Sequence, residues 1–475
     1  MLVDKQKPSF LFYDYETFGQ NPALDRPAQF AGIRTDLDFN IIEKPQKFFC
    51  APSDDYLPQP QSVMITGITP QYTITNGINE PEFAKRIHAS FSVSNSCILG
   101  YNNIRFDDEI TRHIFYRNFY DPYSYSWKQG NSRWDLLNVL RACFTLRPNG
   151  INWPRNEKGL PSFKLKHLTS INGIEHKNPH DAMADVFATI EMAKLTKKAQ
   201  PKLFDFFFQM RKKSKIFQLI NIESMTPLVY VSSIFSANRT NITLISPLAW
   251  HPKNSNTIIA CDLTADINPL LTLDINTLRK RLYTIKTELS DEPIIPIKLI
   301  YINKCPILAP SNILRQEDLK HLSLDINTCL NNLDILRKNR KVQNKVIQLY
   351  IKQKLLPEIT DVDSMLYSRF FTYKDHSMMS IIRHTLPENL PALNLKFKDP
   401  RMSELFFRYR ARNYPATLTK QEQVSWLQYR RNILNKERIT KYLRIIDQLF
   451  IEYQEDKEKH QQLKLLVDYV NQIAG

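Results

Sequence analysis

Glycine is scarce in this chain, with 10 residues in 475 against a usual frequency near 7%. Neither G-x-x-x-x-G-K-[ST] nor G-x-G-x-x-G occurs, so the backbone loops that commonly cradle nucleotide phosphates are missing and P-loop ATP hydrolysis is disfavoured. Cysteine is also sparse. Cys50, Cys97, Cys143, Cys261, Cys305 and Cys329 are scattered without a C-x-x-C pair. Neither a zinc site nor a disulfide framework is expected, and a reducing cytoplasm fits. No uncharged apolar run reaches the roughly 18 residues of a membrane helix. The N-terminal MLVDKQKPSFLFYDYE carries charge on both sides of a short apolar stretch, unlike a secretory leader.

What is present is ordinary globular composition: 43% hydrophobic, 11% aromatic and 24% charged residues. At roughly 150 residues per domain, the length predicts about three domains. Lys and Arg number 64 against 48 Asp and Glu, a net charge of +16, which favours a polyanionic partner. The charge is uneven. The first 200 residues hold 23 basic and 21 acidic groups, and the remainder 41 and 27. The carboxylate-rich part is the candidate for chemistry and the basic part the candidate for holding a polyanion.

Strand-like and helix-like segments alternate over residues 1–200, predicting an α/β domain. Phe10 to Thr17 reads as a central strand and Cys97 to Tyr101 as a second. Pro179 stands where a helix can begin, followed at helical spacing by Ala182, Val186, Ile190 and Ala193. Short β-rich runs such as PLVYVSSIF and IPIKLIYI over about 226–302 predict a small barrel or sheet. After about 326 the pattern is helical. Pro357 and the following ITDVD mark a linker, giving expected domains at 1–200, 201–355 and 358–475.

Asp14 and Glu16 lie two apart on the first strand, so both carboxylates share one face. Burying two adjacent anions is costly unless a cation accompanies them. Asp107 and Asp108 follow Phe106 where a helix is expected. His180 and Asp185 stand at the start of another. Asp14, Glu16, Asp107 and Asp185 together could balance two divalent cations, and oxygen-only ligands suit Mg²⁺ or Mn²⁺ better than zinc. Two such ions can stabilise the attacking and leaving oxygens of a phosphoryl displacement. A histidine at this place, His180, could take the proton of an attacking water near neutral pH. His176 and Asp181 repeat the same H-x-x-x-x-D spacing.

Two basic features stand out in the second half. Arg337, Lys341 and Lys345 are at i, i+4 and i+8, one stripe if a single helix carries them. FFRYRARNYP interleaves Arg408, Arg410 and Arg412 with Tyr409 and Tyr414, a composition suited to phosphates and stacked bases. The aromatic run Tyr116, Phe119, Tyr120, Tyr123, Tyr125 and Trp127 could also stack on bases, but core packing is its expected role.

The order D-x-E, N-x-x-x-F-D, H-x-x-x-x-D resembles the DEDDh exonuclease superfamily, and within it the bacterial exodeoxyribonuclease I family. The resemblance runs through NPALDRPAQFAGIRTD, ITGITP, IFYRNFYDPY, NSRWDLL, INWP, GLPSF, HDAMADV, LAWHP, INKCP and YRARNYP, which spans nearly the whole chain. It implies a ribonuclease H-like domain with a mixed sheet, then an SH3-like β-barrel domain and an all-α C-terminal domain. It implies processive 3′ to 5′ hydrolysis of single-stranded DNA in repair and recombination, by a monomer. An RNA-trimming or proofreading relative and a non-catalytic single-strand clamp are the alternatives.

The family pattern H-[DN]-A-x-x-D selects His180 as general base with Asp185, and gives metal roles to Asp14, Glu16, Asp107 and Asp185. Glu16, Lys164, Arg408, Arg410 and Arg412 are the expected substrate contacts. Lys164 stands where the family usually has arginine, so charge is kept but a bidentate grip is lost. The resemblance also implies a partner, the acidic C-terminal tail of single-stranded-DNA-binding protein, with Arg147, Arg315 and Arg337 as its expected contacts.

Overall fold

The strand that carries Asp14 and Glu16 organises the first part of the structure. This computed structural model describes residues 7–235, 240–284, 294–320, 322, 324–351 and 359–474. The chain divides into two units: Met1–Ser132 with His176–Ile190 and Glu358–Gly475, and Arg133–Glu175 with Glu191–Pro357.

In the first unit, β1 (Ser9–Thr17), β2 (Pro27–Thr35), β3 (Gln46–Phe49) and β4 (Ser96–Gly100) lie in the order β3-β2-β1-β4. β1 pairs antiparallel with β2 and parallel with β4, so the sheet is mixed. Leu11, Tyr13 and Tyr15 pack on one side of β1 with Phe30, Phe83 and Phe91. Phe10 and Phe12 are buried on the other, beside Phe39. A central strand covered on both faces must be apolar throughout, which accounts for FLFY. Asp14 and Glu16 continue the face of Phe10 and Phe12.

The C-terminal helices share two cores with the early residues, which explains why they belong to the first unit. Helices Lys436–Glu452 and Lys457–Ala474 place Ile446, Leu449, Leu463, Leu466 and Tyr469 against Phe18, Tyr56 and Val63. Tyr116 and Phe119 pack with Val362, Leu366, Met379, Met402 and Tyr409. Tyr116, Phe119 and Tyr125 are thus core residues, whereas Trp127 stays 62% exposed.

β5 (Ser132–Asp135) straddles the boundary between units. The second unit contains β6 (Leu228–Val231), β7 (Ile242–His251), β8 (Asn254–Asp262), β9 (Ile297–Tyr301) and β10 (Ile307–Pro310), an antiparallel sheet ordered β10-β6-β7-β8-β9. The stripe expected on one helix is divided between two. Arg337 ends helix Ile326–Lys338, and Lys341 and Lys345 belong to helix Lys341–Ile351. Lys345 Nζ donates to the carbonyls of Leu270, Leu271 and Leu273, so it satisfies a helix end rather than a solvated face. No helix among the described residues is long and apolar enough to cross a membrane.

Candidate metal centre

Three elements bring the acidic set together. Strand alternation aims Asp14 and Glu16 to one face, and helix Ala182–Ala199 carries Asp185 in its first turn. Asp14, Glu16 and Asp185 each offer an oxygen, all within 4.8 Å of one another. Asp107 opens helix Asp107–Arg117, and its Oδ1 accepts from the Tyr15 backbone N–H at 3.3 Å. That bond holds the helix N-terminus against β1. Tyr13 Oη donates to Asp108 Oδ1 at 2.6 Å, and the hydroxyls of Tyr15 and Thr111 lie 3.0 Å apart, adding two ties between the same elements.

The electrostatics are those of crowded anions. Burial, then Asp107, Glu16 and Asp185, hold the Asp14 carboxyl well above the usual carboxylate range. Glu16 is pushed up to about 9 by burial, followed by Asp185, Asp107 and Asp181. Asp185 is raised by burial, against the lowering effect of His176. Such a cluster must take up protons or bind cations. An all-oxygen donor set of this charge fits a hard divalent cation.

Both histidines of the repeated spacing are near Asp185, in different ways. His180 occupies an exposed turn at φ 74°, left-handed backbone that is uncommon for a residue with a side chain, and it lies near enough to Asp185 to favour the ionised carboxylate. The His176 side chain is 5% exposed and places Nε2 at 2.5 Å from Asp185 Oδ1. Sequence spacing paired His176 with Asp181 and missed this contact, because nine residues across a turn follow no regular period. Asp181 instead caps the helix by accepting from Met183 and Ala184 N–H, and pairs with Lys47 at 2.6 Å. The helix therefore starts at Ala182, later than the expected Pro179.

The expected substrate and partner residues fall elsewhere. Lys164 is exposed in the second unit, at the N-cap of helix Leu165–Ile171. Arg408, Arg410 and Arg412, expected to meet phosphates, are committed to carboxylates. Arg408 bonds Glu404 and Asp361, Arg410 bonds Glu422, and Arg412 bonds Asp55 and Asp363. Their side chains are only 7–8% exposed, and these ion pairs satisfy guanidinium groups that burial would otherwise strand. Arg147 and Arg315 converge on buried Asp318, while Arg337 Nε donates to the Ser224 carbonyl. The structure therefore joins two of the three expected partner contacts.

A mixed sheet that brings Asp14, Glu16 and Asp185 together, with Asp107 beside them and His176 on Asp185, is a candidate divalent-metal site within an exonuclease domain. Residues 11–193 match the family described as Exonuclease. Residues 211–352 match the Exonuclease I SH3-like domain and 360–473 the Exonuclease I C-terminal domain. The chain is 55% identical to exodeoxyribonuclease I of Escherichia coli (strain K12) over 470 residues, covering 99% of each chain. It is 50% identical to exodeoxyribonuclease I of Haemophilus influenzae, covering 98% of this chain and 99% of that one. Among solved structures, E. coli exonuclease I in complex with a dA16 oligonucleotide superposes with a TM-score of 0.97 at 55% identity, over 98% of this chain and 100% of that one. The zinc ion bound form of the E. coli exonuclease I–single-stranded DNA complex gives 0.96 at 55% identity, over 99% and 100%. The chain belongs to the exodeoxyribonuclease I family.

Proposed function

We propose that this chain is a processive 3′ to 5′ exonuclease that hydrolyses single-stranded DNA to 5′-mononucleotides with Mg²⁺, in DNA repair and recombination. The observation that carries the proposal is the convergence of Asp14, Glu16 and Asp185 within 4.8 Å, with Asp107 beside them. These four carboxylates would hold the divalent ions. When bound, such ions neutralise charge developing on the phosphate and its attacking and leaving oxygens.

The chain's own groups carry the rest of the reaction. An imidazole nitrogen of His180 accepts a proton from water as that water's oxygen attacks the terminal phosphodiester. The bond from phosphorus to the 3′-oxygen of the penultimate nucleotide breaks, and that oxygen takes up a proton to become the new 3′-hydroxyl. The exposure of His180 in its turn gives it access to water. The carboxylate network keeps the acceptor side of the site fixed, with Asp107 held to β1 by the Tyr15 N–H and Asp185 held by His176.

The reading includes three domains at 1–200, 201–355 and 358–475, a monomeric cytoplasmic enzyme, and substrate contact by Glu16 and exposed Lys164. Arg147, Arg315 and Arg337 would receive the acidic tail of single-stranded-DNA-binding protein. Charge reversal at Arg315 and Arg337 should abolish tail binding, and unchanged binding would remove that assignment. For the catalytic reading, Asp185→Ala should abolish Mg²⁺-dependent nucleotide release while retaining DNA binding. Near-normal release would overturn it.

A further inference from the structure

We propose that Phe370 and Tyr373 form a stacking platform for bases of the single strand whose end occupies the acidic centre; this inference rests on the function proposed above. Most of the aromatic run around Tyr116–Tyr125 is absorbed into a core, but a second aromatic segment, YSRFFTYK at 367–374, is turned outward. Tyr367 is 56% exposed, Phe370 80% and Tyr373 87%. Single exposed apolar side chains are common. Three such aromatic groups within seven residues of a fixed backbone are a different feature.

The backbone is held from below. Phe371 stacks on buried Tyr116 with ring centroids 5.8 Å apart, and the Arg401 guanidinium covers the Phe371 ring at 4.6 Å. Arg401 also donates to the carbonyls of Met365 and Arg369. Thr372 and Asp375 form a capping box at the start of helix Tyr373–His384. One aromatic ring therefore anchors the segment while its neighbours remain in water, so fold stability does not require Phe370 or Tyr373 to be aromatic.

Charge selects the occupant. Arg369 and Lys374 lie in the segment, and no acid occurs from Ser364 to Lys374. The flanking Asp363 and Asp375 are buried. The Phe370 ring meets Tyr123 at 5.6 Å. Arg112, over the Tyr123 ring at 5.6 Å, is buried and paired with Glu109, which also accepts from the Tyr367 hydroxyl, so the solvent-facing cations of the platform are Arg369 and Lys374. Flat apolar rings interleaved with cations are the surface that single-stranded nucleic acid takes, with bases on rings and phosphates near the cations. Position agrees. Arg112 Nη1 donates to Tyr367 Oη at 3.1 Å, and Arg112 is five residues along the helix from Asp107, about 7.5 Å at helical rise.

The test is fluorescence anisotropy of the full chain in EDTA with two labelled 16-mers, dT16 and an abasic strand of equal phosphate charge. Phe370→Ser and Tyr373→Ser should each weaken dT16 binding about tenfold and leave the abasic strand unchanged, with Phe370→Trp retaining wild-type affinity. Variants that bind dT16 as wild type does, or that lose both strands equally, would overturn the platform. If the unaltered chain binds neither strand, the proposed function itself fails.

Discussion

Replacing Arg412 with alanine discriminates between a structural and a DNA-contacting role for the arginines of YRARNYP. Arg412 Nε and Nη2 reach Asp55 Oδ2 at 3.0 and 2.8 Å, and Nη1 and Nη2 reach Asp363 at 3.1 and 2.6 Å. The side chains of Arg412, Asp55 and Asp363 are 8%, 2% and 4% exposed. Removing the guanidinium leaves Asp55 with Ser53 as its remaining close side-chain donor, while Asp363 keeps Arg26 and Arg408, each at 3.4 Å. Breaking a buried pair from one side costs about 3–5 kcal/mol, because a charge is stranded. That is a large share of the 5–15 kcal/mol typical of folded proteins. Urea unfolding followed by intrinsic fluorescence should show a loss of this order, with the salt dependence of single-strand binding unchanged. A loss below about 1 kcal/mol, as for a surface pair, together with a shallower salt slope, would identify Arg412 as a phosphate contact instead.

Glu16→Gln should stabilise the metal-free chain in EDTA at pH 7 by up to about 4 kcal/mol, because a carboxylate pushed up to about 9 penalises folding above its unfolded pKa near 4.3; a destabilised variant in thermal scans would contradict this. Burial alone would raise Asp55 and Glu80, but Arg412 and Arg26, and Arg117 and Arg26, more than reverse it and leave both carboxyls low. Their contribution is fully present above about pH 4 and is lost as pH falls below it, so urea midpoints should drop steeply there, and a flat profile would count against the network. His180→Ala at saturating Mg²⁺ should lower kcat by about 10²- to 10⁴-fold in a steady-state nuclease assay. His176→Ala should raise the Mg²⁺ concentration for half-maximal rate and weaken calorimetric Mg²⁺ binding, and an unaltered metal requirement would remove the role assigned to its Asp185 contact.

The parts of this architecture governed by short periods were legible in the amino acids. A period of two put Asp14 and Glu16 on one face, and the apolar run before them marked a strand covered on both sides. Asp107 was readable as a helix start because acids favour that end. Contacts across long sequence separations were not. Nothing in YRARNYP reveals that Arg412 meets Asp55, 357 residues away, so its composition suggested phosphates. The break between Lys338 and Lys341 takes only two residues, and i, i+4 counting passed over it. His176 reaches Asp185 through a turn containing Pro179 and the left-handed His180, a geometry without a repeating signature.

The most direct measurement is Mg²⁺-dependent digestion of one single strand, labelled at its 5′ or 3′ end and made as DNA and as RNA, with EDTA and Asp185→Ala controls. Rapid mononucleotide release from the 3′ end of DNA, abolished by either control, is the expected result. Release from the 5′ end, preference for RNA, or binding without cleavage would contradict it.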